Sequence, residues 1–138
     1  GIPLALATAR AFNVPLVIIR DDSKVTEGTS VSINYISGST KRIQTMALAR
    51  RSLKPGAKVL LIDDFMKAGG TALGMQDLMK EFKAQVLGLG ILVGTTNPGE
   101  KLVDNYLALL ELEALDAKEK NILIRPSQWI INNTEFSP

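Results

Sequence analysis

The chain has 138 residues, 46% of them hydrophobic, which is enough for one domain with a core of its own. It contains no cysteine and no histidine, so disulfide bonds, a thiolate nucleophile and a histidine general base are excluded. No apolar run approaches the roughly 20 residues of a membrane span and no signal peptide is visible, and we therefore expect a cytoplasmic protein.

The net charge of +2 conceals an uneven distribution along the chain. Between Gly28 and Ile62 there is no acidic residue, whereas six basic residues lie there: Lys41, Arg42, Arg50, Arg51, Lys54 and Lys58. Such a block is either the solvated face of a helix and its loops or an electrostatic footprint for a polyanion. The polyanions that fit are a pyrophosphate ligand and a nucleic-acid backbone.

The N-terminal part of the chain predicts helices and strands in alternation. A helix is predicted over Leu4 to Phe12, and the apolar run Leu16 to Arg20 predicts a buried strand. Val31 to Ile36 alternates between apolar and polar residues, as a half-exposed strand does. After a polar turn, a second helix is predicted over Ala47 to Leu53, ended by a proline and a glycine.

The chain is organised around the stretch from Val59 to Thr71. Val59 to Ile62 is a run of apolar residues typical of a parallel strand covered on both faces, and the strand is predicted to end at Asp63 and Asp64. A short loop then reaches two glycines, after which apolar residues recur at helical spacing: Leu73, Met75, Leu78, Met79 and Phe82. The predicted order is strand, acidic pair, glycine turn and helix.

This order of elements is suited to binding a phosphorylated ligand. Two glycines let the backbone adopt positive φ and approach a ligand closely, and the first turn of the helix leaves N–H groups that attract a phosphate. Asp63 and Asp64 would repel the phosphate itself, so they need a donor or a cation nearby, such as a ribose diol or a hydrated magnesium ion. In the plainer alternative, the glycines form an ordinary strand-to-helix turn and the acids cap the helix.

The C-terminal part continues the alternation. Val86 to Val93 predicts another buried strand, and a short helix is predicted over Thr95 to Tyr106. Leu107 to Leu115 and Asn121 to Arg125 predict two terminal strands, and the tail from Ser127 carries no clear signal. Alternating strands and helices with short loops predict an α/β fold, in which a parallel sheet flanked by helices binds ligands at the carboxyl ends of its strands.

Two parts of this pattern resemble a known family. Val59 to Thr71 resembles the thirteen-residue 5-phosphoribosyl 1-pyrophosphate (PRPP) motif of the type I phosphoribosyltransferases. With Lys24 to Gly28 and Ser32 to Tyr35 upstream, the chain is similar to the purine operon repressors of Gram-positive bacteria. The resemblance implies a type I phosphoribosyltransferase-like parallel sheet with a flexible β hood. It also implies that residues 1–138 are one effector-binding domain, preceded by a core strand, a pyrophosphate loop ending at Gly1 and a winged-helix DNA-binding domain.

The resemblance implies roles for individual residues. The acidic pair faces the ribose hydroxyls and the glycine turn holds the 5′-phosphate, so the predicted PRPP site consists of Asp63, Asp64, Lys67, Ala68, Gly69, Gly70 and Thr71. Lys24 and Tyr35 are candidate contacts from the hood. Magnesium is expected to arrive with PRPP rather than in a preformed cage, and a homodimer is expected. In the intact protein we expect Arg50, Arg51 and Lys54 to contact operator phosphates while the upstream domain reads the bases.

Two function classes remain open at this point. The first is the ligand-sensing domain of a repressor of purine biosynthesis genes, controlled by PRPP or a related nucleotide effector. The second is a purine phosphoribosyltransferase that transfers phosphoribose from PRPP to a base. Both would use the same phosphate-binding turn.

The loop Phe65 to Ala68 separates these classes. The resembled enzymes carry aliphatic or small residues in the middle of this loop and threonine where Ala68 stands. Ala68 lacks that phosphate donor, and Lys67 replaces it by a charge-assisted contact that supplies affinity without catalysis. We therefore expect ligand binding with no catalytic residue; in the plainer alternative these residues only pack.

Overall fold

The computed structural model of the protein describes residues 1–20, 28–38, 41–114 and 122–133. Helix α1 spans Ile2–Phe12, as predicted, with a proline in its first turn and an end at Asn13, which adopts the left-handed conformation (φ 53°). A hairpin follows, in which β1 (Ser30–Ile36) pairs antiparallel with β2 (Ile43–Ala49). This hairpin corresponds to the predicted hood.

The central sheet has four strands. Strand β3 (Lys58–Met66) leads through helix α2 (Gly70–Glu81) into β4 (Gln85–Thr95), and the chain continues through β5 (Tyr106–Ala114), β6 (Ile122–Pro126) and the short helix α3 (Gln128–Asn133). The strands lie in the order β3-β4-β5-β6; the first three are parallel, and β6 is antiparallel to β5. The predicted α/β fold with a mostly parallel sheet is confirmed.

The hydrophobic core lies between the sheet, α2 and the hairpin. The largest fully buried side chains are Met46 on β2, Leu78 on α2 and Ile91 on β4, one from each of these parts. Because α2 packs against β1 and β2 on one side and against β3 and β4 on the other, it joins the hairpin to the sheet. The carboxyl end of β3 and the start of α2 are thereby held next to the hairpin.

The prediction of a buried strand over Leu16 to Arg20 is wrong. Only Arg20 makes a strand-like pair, with Ala47 of β2, and the side chain of Val17 is 37% exposed. A parallel strand needs a neighbour on at least one edge. Among the described residues, no strand lies beside this run to pair with the rest of it.

The predicted helix over Ala47 to Leu53 is also wrong. Ala47, Leu48 and Ala49 belong to β2, where they pair with Ser32, Val31 and Ser30 and are buried. Alanine and leucine favour helices, but hairpin pairing and burial override a propensity of a few tenths of a kcal/mol per residue. The chain makes only one 3₁₀ turn there, at Arg50–Ser52.

The predicted helix over Thr95 to Tyr106 does not form. Thr95 ends β4, Tyr106 starts β5, and residues 96–105 are irregular. Polar groups of this segment form hydrogen bonds other than those of a helix. The Thr95 hydroxyl donates to the Asn97 carbonyl (2.8 Å), and the Leu102 N–H donates to the Ala68 carbonyl (2.8 Å).

Helix α3 lies in the tail for which the sequence predicted nothing. Ser127 precedes it, is buried, and accepts a hydrogen bond at Oγ from the N–H of Ile130 (3.5 Å), as a helix-capping serine does. In the part of the chain described here, no helix is both long and apolar enough to cross a membrane.

Candidate functional site

The acidic pair lies inside β3 rather than after it. The prediction that the strand ends at the acidic pair is wrong, because β3 continues to Met66 and Phe65 still pairs with Val93. Both carboxylates lie beside Gly1, whose nitrogen donates to Asp64 Oδ2 and where a Cβ would come within 3.3 Å of Asp63 Oδ1, but they differ in exposure. Asp63 is half-buried and lines a pocket, whereas the Asp64 side chain is 58% exposed and lies outside the pocket lining.

The two carboxyls also differ in acidity. Burial is the main reason that the pKa of Asp63 is raised above its ordinary value, and the charge of Asp64 acts in the same direction. A hydrogen bond from the Gly1 amino group to Oδ2 is the main reason that the pKa of Asp64 is lowered. Asp63 is therefore the carboxyl whose charged form gains most from additional hydrogen-bond donors.

The two glycines at the start of α2, Gly69 and Gly70, have different structural roles. Gly69 is the residue that precedes the helix and adopts the left-handed conformation with φ 91°, which favours glycine. Gly70 is needed for space, because a Cβ there would overlap the carbonyl oxygen of Ile36 and would lie 3.2 Å from the N of Gly38. The tip of the hairpin thus sits directly on the turn, which leaves only a narrow opening.

This turn, the end of β3 and the hairpin tip enclose a small pocket of about 50 Å³. It is lined by Gly38, Asp63, Phe65, Met66, Lys67, Ala68, Gly69, Gly70, Thr71 and Ala72. Its volume fits a phosphate-sized group rather than the 300–1,000 Å³ of a site for a whole small molecule. Within the described structure, no side chain caps the N-terminus of α2 and no acid lies in its first turn, so its N–H groups and positive dipole end face this pocket.

The structure brings together six of the seven residues predicted to bind PRPP. The pocket lining contains Asp63, Lys67, Ala68, Gly69, Gly70 and Thr71 and does not include Asp64. Lys24, predicted to contact the ligand from the hood, lies outside the described residues.

Tyr35 does not line the pocket. The residue is 8% exposed, its hydroxyl donates to Gln44 Oε1 (2.9 Å), and it packs on Gly74 of α2, where a Cβ would lie 2.9 Å from the Tyr35 Cβ and 3.0 Å from its ring. This placement gives Tyr35 a packing role between the hairpin and α2 and does not support the expected contact with a ligand.

The predicted DNA-contacting residues are far from the pocket. Arg50 and Arg51 are exposed in the 3₁₀ turn that follows β2, and Lys54 is exposed just beyond it. The hairpin tip at Gly38 lines the pocket, and the turn lies at the other end of β2. Seven strand residues span roughly 20 Å, so that distance separates the basic group from the pocket.

The sequence did not predict the residues that contact the glycine turn without lining the pocket. The Lys101 ammonium donates to the carbonyl oxygens of Lys67 (2.6 Å) and Thr95 (2.7 Å), and a Cβ on Gly69 would come within 3.2 Å of Val103. These residues lie more than thirty positions beyond the turn, in the segment wrongly predicted as a helix. No local pattern signals such a contact.

No metal-binding cluster accompanies the pocket. Among the residues that the structure describes, no group of three or more histidine, cysteine or acidic side chains is placed to hold a metal ion.

A strand that leads into a glycine turn and a helix N-terminus, with a carboxylate beside the turn and a hairpin in contact with it, defines an α/β domain whose pocket has the size of a phosphate group. The chain belongs to the phosphoribosyltransferase family, since the phosphoribosyl transferase domain matches residues 1–126. Solved structures agree with this fold. The chain superposes on the adenine phosphoribosyltransferase of Saccharomyces cerevisiae with a TM-score of 0.69 at 18% identity, over 78% of this chain and 60% of that one.

Among curated proteins, the chain is similar to regulators of purine biosynthesis, which confirms the predicted resemblance. It is 57% identical over 130 residues to the purine biosynthesis transcriptional repressor PurR of Bacillus subtilis, covering 94% of this chain and 46% of that protein. It is 42% identical over 122 residues to the purine biosynthesis transcriptional activator PurR of Lactococcus lactis, covering 88% and 45%. The chain therefore spans less than half the length of these regulators.

The chain is also similar to an enzyme. It is 32% identical over 127 residues to the xanthine phosphoribosyltransferase of Lactococcus lactis, covering 90% of this chain and 64% of the enzyme. Both function classes that the sequence left open therefore have relatives in the same family.

Proposed function

We propose that this domain senses PRPP, or another phosphorylated signal of purine metabolism, and controls DNA binding by a transcriptional regulator of purine biosynthesis genes. The observation that carries the proposal is the pocket at the N-terminus of α2, where loop N–H groups, Lys67 and Asp63 converge on a phosphate-sized space. The similarity to purine biosynthesis regulators supports the regulatory part of it.

In this proposal each part of the pocket recognises one part of PRPP. The N–H groups of the glycine turn and the Thr71 hydroxyl hold the 5′-phosphate, since oriented N–H groups and the helix dipole favour an anion. Lys67 adds a charge-assisted contact. Asp63 accepts hydrogen bonds from the ribose hydroxyls, and Asp64 contributes less because it is exposed and does not line the pocket. Magnesium would enter with the pyrophosphate of the ligand, held mainly by that group's own oxygens.

The residues of the pocket favour binding over catalysis. The titratable side chains that line it are Asp63 and Lys67, and Phe65, 45% exposed, also lines it. A glycosyl-transfer step needs a group that activates the incoming base or stabilises the leaving pyrophosphate. We assign Lys67 and Asp63 to ligand binding and no residue to catalysis.

The second candidate function is a purine phosphoribosyltransferase, which the 32% identity to a xanthine phosphoribosyltransferase favours. The two candidates differ in turnover. The intact protein is incubated with PRPP, magnesium and each of adenine, guanine, hypoxanthine and xanthine, with a xanthine phosphoribosyltransferase as positive control. We expect no nucleotide from this protein; multiple-turnover formation of any of the four monophosphates would establish the enzyme and reject the sensor.

We further propose that Arg50, Arg51 and Lys54 lie against operator phosphates in the intact regulator, while a part of the protein outside this chain reads the bases. Their exposure and the absence of acidic residues between Gly28 and Ile62 support this. The separation of roughly 20 Å from the pocket exceeds the Debye length of about 8 Å at physiological salt. PRPP would therefore weaken DNA binding by repositioning the hairpin rather than by direct repulsion.

A homodimer remains a prediction for the intact regulator. Apolar side chains on β6 and α3 are exposed in the single chain, among them Ile122 (72%), Ile124 (53%) and Trp129 (44%). Exposed apolar surface of this kind is typical of protein interfaces.

A further inference from the structure

Residues 101–103 run alongside the phosphate-binding turn and contact it residue by residue. The Lys101 ammonium donates to the carbonyl of Lys67 (2.6 Å), the Leu102 N–H donates to the carbonyl of Ala68 (2.8 Å), and Val103 packs against Gly69. We refer to residues 101–103 as the brace. None of its members lines the phosphate pocket.

Lys101 uses its ammonium group to hold backbone oxygens rather than an acid. Besides Lys67 it donates to the carbonyl of Thr95 (2.7 Å) and to the Thr95 hydroxyl (3.3 Å), which occupies all three of its donors. Within the described residues it forms no ion pair with a carboxylate. Burial lowers the pKa of Lys101, which shows that the ammonium gives up part of its hydration to make these bonds.

The brace fixes the direction of two peptide groups in the turn. In a planar trans peptide the C=O and the following N–H point in opposite directions. Lys101 binds the carbonyl of Lys67, so the N–H of Ala68 points away from the brace. Leu102 binds the carbonyl of Ala68, so the N–H of Gly69 also points away from the brace. The N of Ala68 accordingly faces Gly38, where a Cβ would lie 3.5 Å from it. Gly38 lines the pocket.

We propose that Lys101 is a positioning residue that orients the N–H groups of Ala68 and Gly69 into the pocket, so that both are ready to receive a phosphate before the ligand arrives. This inference rests on the proposed binding of PRPP for its functional consequence. Lys101 itself does not touch the ligand. It raises affinity because the turn loses no further conformational freedom on binding.

The test replaces the ammonium while keeping the aliphatic stem, as Lys101→Met in the intact protein. The matched control is Lys58→Met, which changes an exposed lysine at the amino end of β3, away from the pocket. Two quantities are measured: the Kd for PRPP with magnesium by calorimetry, and the hydrogen-exchange rate of the Leu102 amide, whose N–H bonds to Ala68. The exchange rate reports on the brace without any ligand.

We expect Lys101→Met to weaken PRPP binding by about tenfold, the cost of ordering about one backbone residue of the turn on binding, and to speed exchange at Leu102 by about as much. Exchange in the centre of β4 and the Tm should stay at wild-type values, and Lys58→Met should change neither quantity. Unaltered Kd and unaltered exchange at Leu102 would overturn the proposal. Faster exchange throughout the sheet would overturn it too, since it would show a general stabilising role.

The two measurements distinguish failure of the proposed PRPP binding from failure of the proposed role of Lys101. If the wild-type protein binds no PRPP, the proposed function fails, and exchange at Leu102 alone decides whether Lys101 holds the turn. If Lys101→Met does not fold, Lys101→Gln, which keeps an N–H donor for one carbonyl, takes its place. Its PRPP affinity should lie between the wild-type value and a tenfold loss, and wild-type affinity would overturn the proposal.

Discussion

Gly70→Ala is expected to destabilise the protein although alanine is the better helix former. Gly70 is the first residue of α2, and a Cβ there would overlap the carbonyl oxygen of Ile36, with the carbonyl carbon of Ile36 at 3.3 Å and the N of Gly38 at 3.2 Å. All three are backbone atoms of the hairpin tip. They cannot rotate away as a side chain would, so the hairpin or the helix has to shift.

The expected loss follows from two opposing effects. Forcing an extra methyl group into a packed site costs about 1–3 kcal/mol, and rigid backbone neighbours place Gly70 near the upper end. Replacing glycine by alanine also lowers the conformational entropy of the unfolded chain, which stabilises the folded protein by about 0.4–1 kcal/mol. The net loss of unfolding free energy is therefore about 2 kcal/mol, or roughly 5–10 °C in Tm for a domain of this size.

Urea denaturation followed by circular dichroism measures this loss. Gly99→Ala is the control, because a Cβ there has no neighbour within 4 Å and Gly99 does not need a positive φ. We expect the midpoint to fall for Gly70→Ala with an unchanged m-value and to stay the same or rise slightly for Gly99→Ala. A Gly70→Ala protein as stable as wild type would refute the close approach of the hairpin to the turn.

Three further predictions concern the site. Asp64→Ala should weaken PRPP binding by less than about fivefold, because the Asp64 side chain is 58% exposed and does not line the pocket; a larger loss in calorimetric titration would show that it contacts the ligand. Burial raises the pKa of Asp63, and the hydrogen-bond donors of ribose favour its charged form. The affinity for PRPP should therefore be greatest above that raised pKa and should fall as the pH drops through it. This fall should occur at a higher pH than for an ordinary aspartate. Asp63→Asn lacks this titration, and a wild-type pH profile parallel to that of Asp63→Asn would contradict the assignment. Replacing Arg50 and Arg51 together by alanine should reduce the magnitude of the slope of log K against log salt for operator DNA by up to about 1.8; an unchanged slope and affinity would confine DNA binding to other parts of the regulator.

Local signals in the sequence were sufficient for the elements that carry the site. The apolar run of β3, the paired glycines and the helical spacing in α2 each specify a structure within a few residues, and they agree with one another. The segments around Ala47 and Thr95 were predicted wrongly for one physical reason. Their structure is decided by contacts with distant residues: Ala47 pairs with Ser32, and Lys101 and Leu102 bond the turn.

The candidate site was predictable only in part. The identity of the turn residues followed from glycine chemistry, but the difference in exposure between Asp63 and Asp64 depends on how the surrounding chain covers them, which the apolar run does not reveal. The burial of Tyr35 depends on the space left by Gly74, which lies on another element.

Calorimetric titration of the intact protein with PRPP and magnesium, alongside Asp63→Ala, tests the sensing function most directly. The pocket geometry predicts saturable binding of one PRPP per chain, weakened about ten- to a hundredfold in Asp63→Ala by the loss of a charged hydrogen-bond acceptor, while the variant remains folded. No saturable heat from the wild type at millimolar PRPP, or equal affinity of the two proteins, would contradict the assignment of this pocket to PRPP.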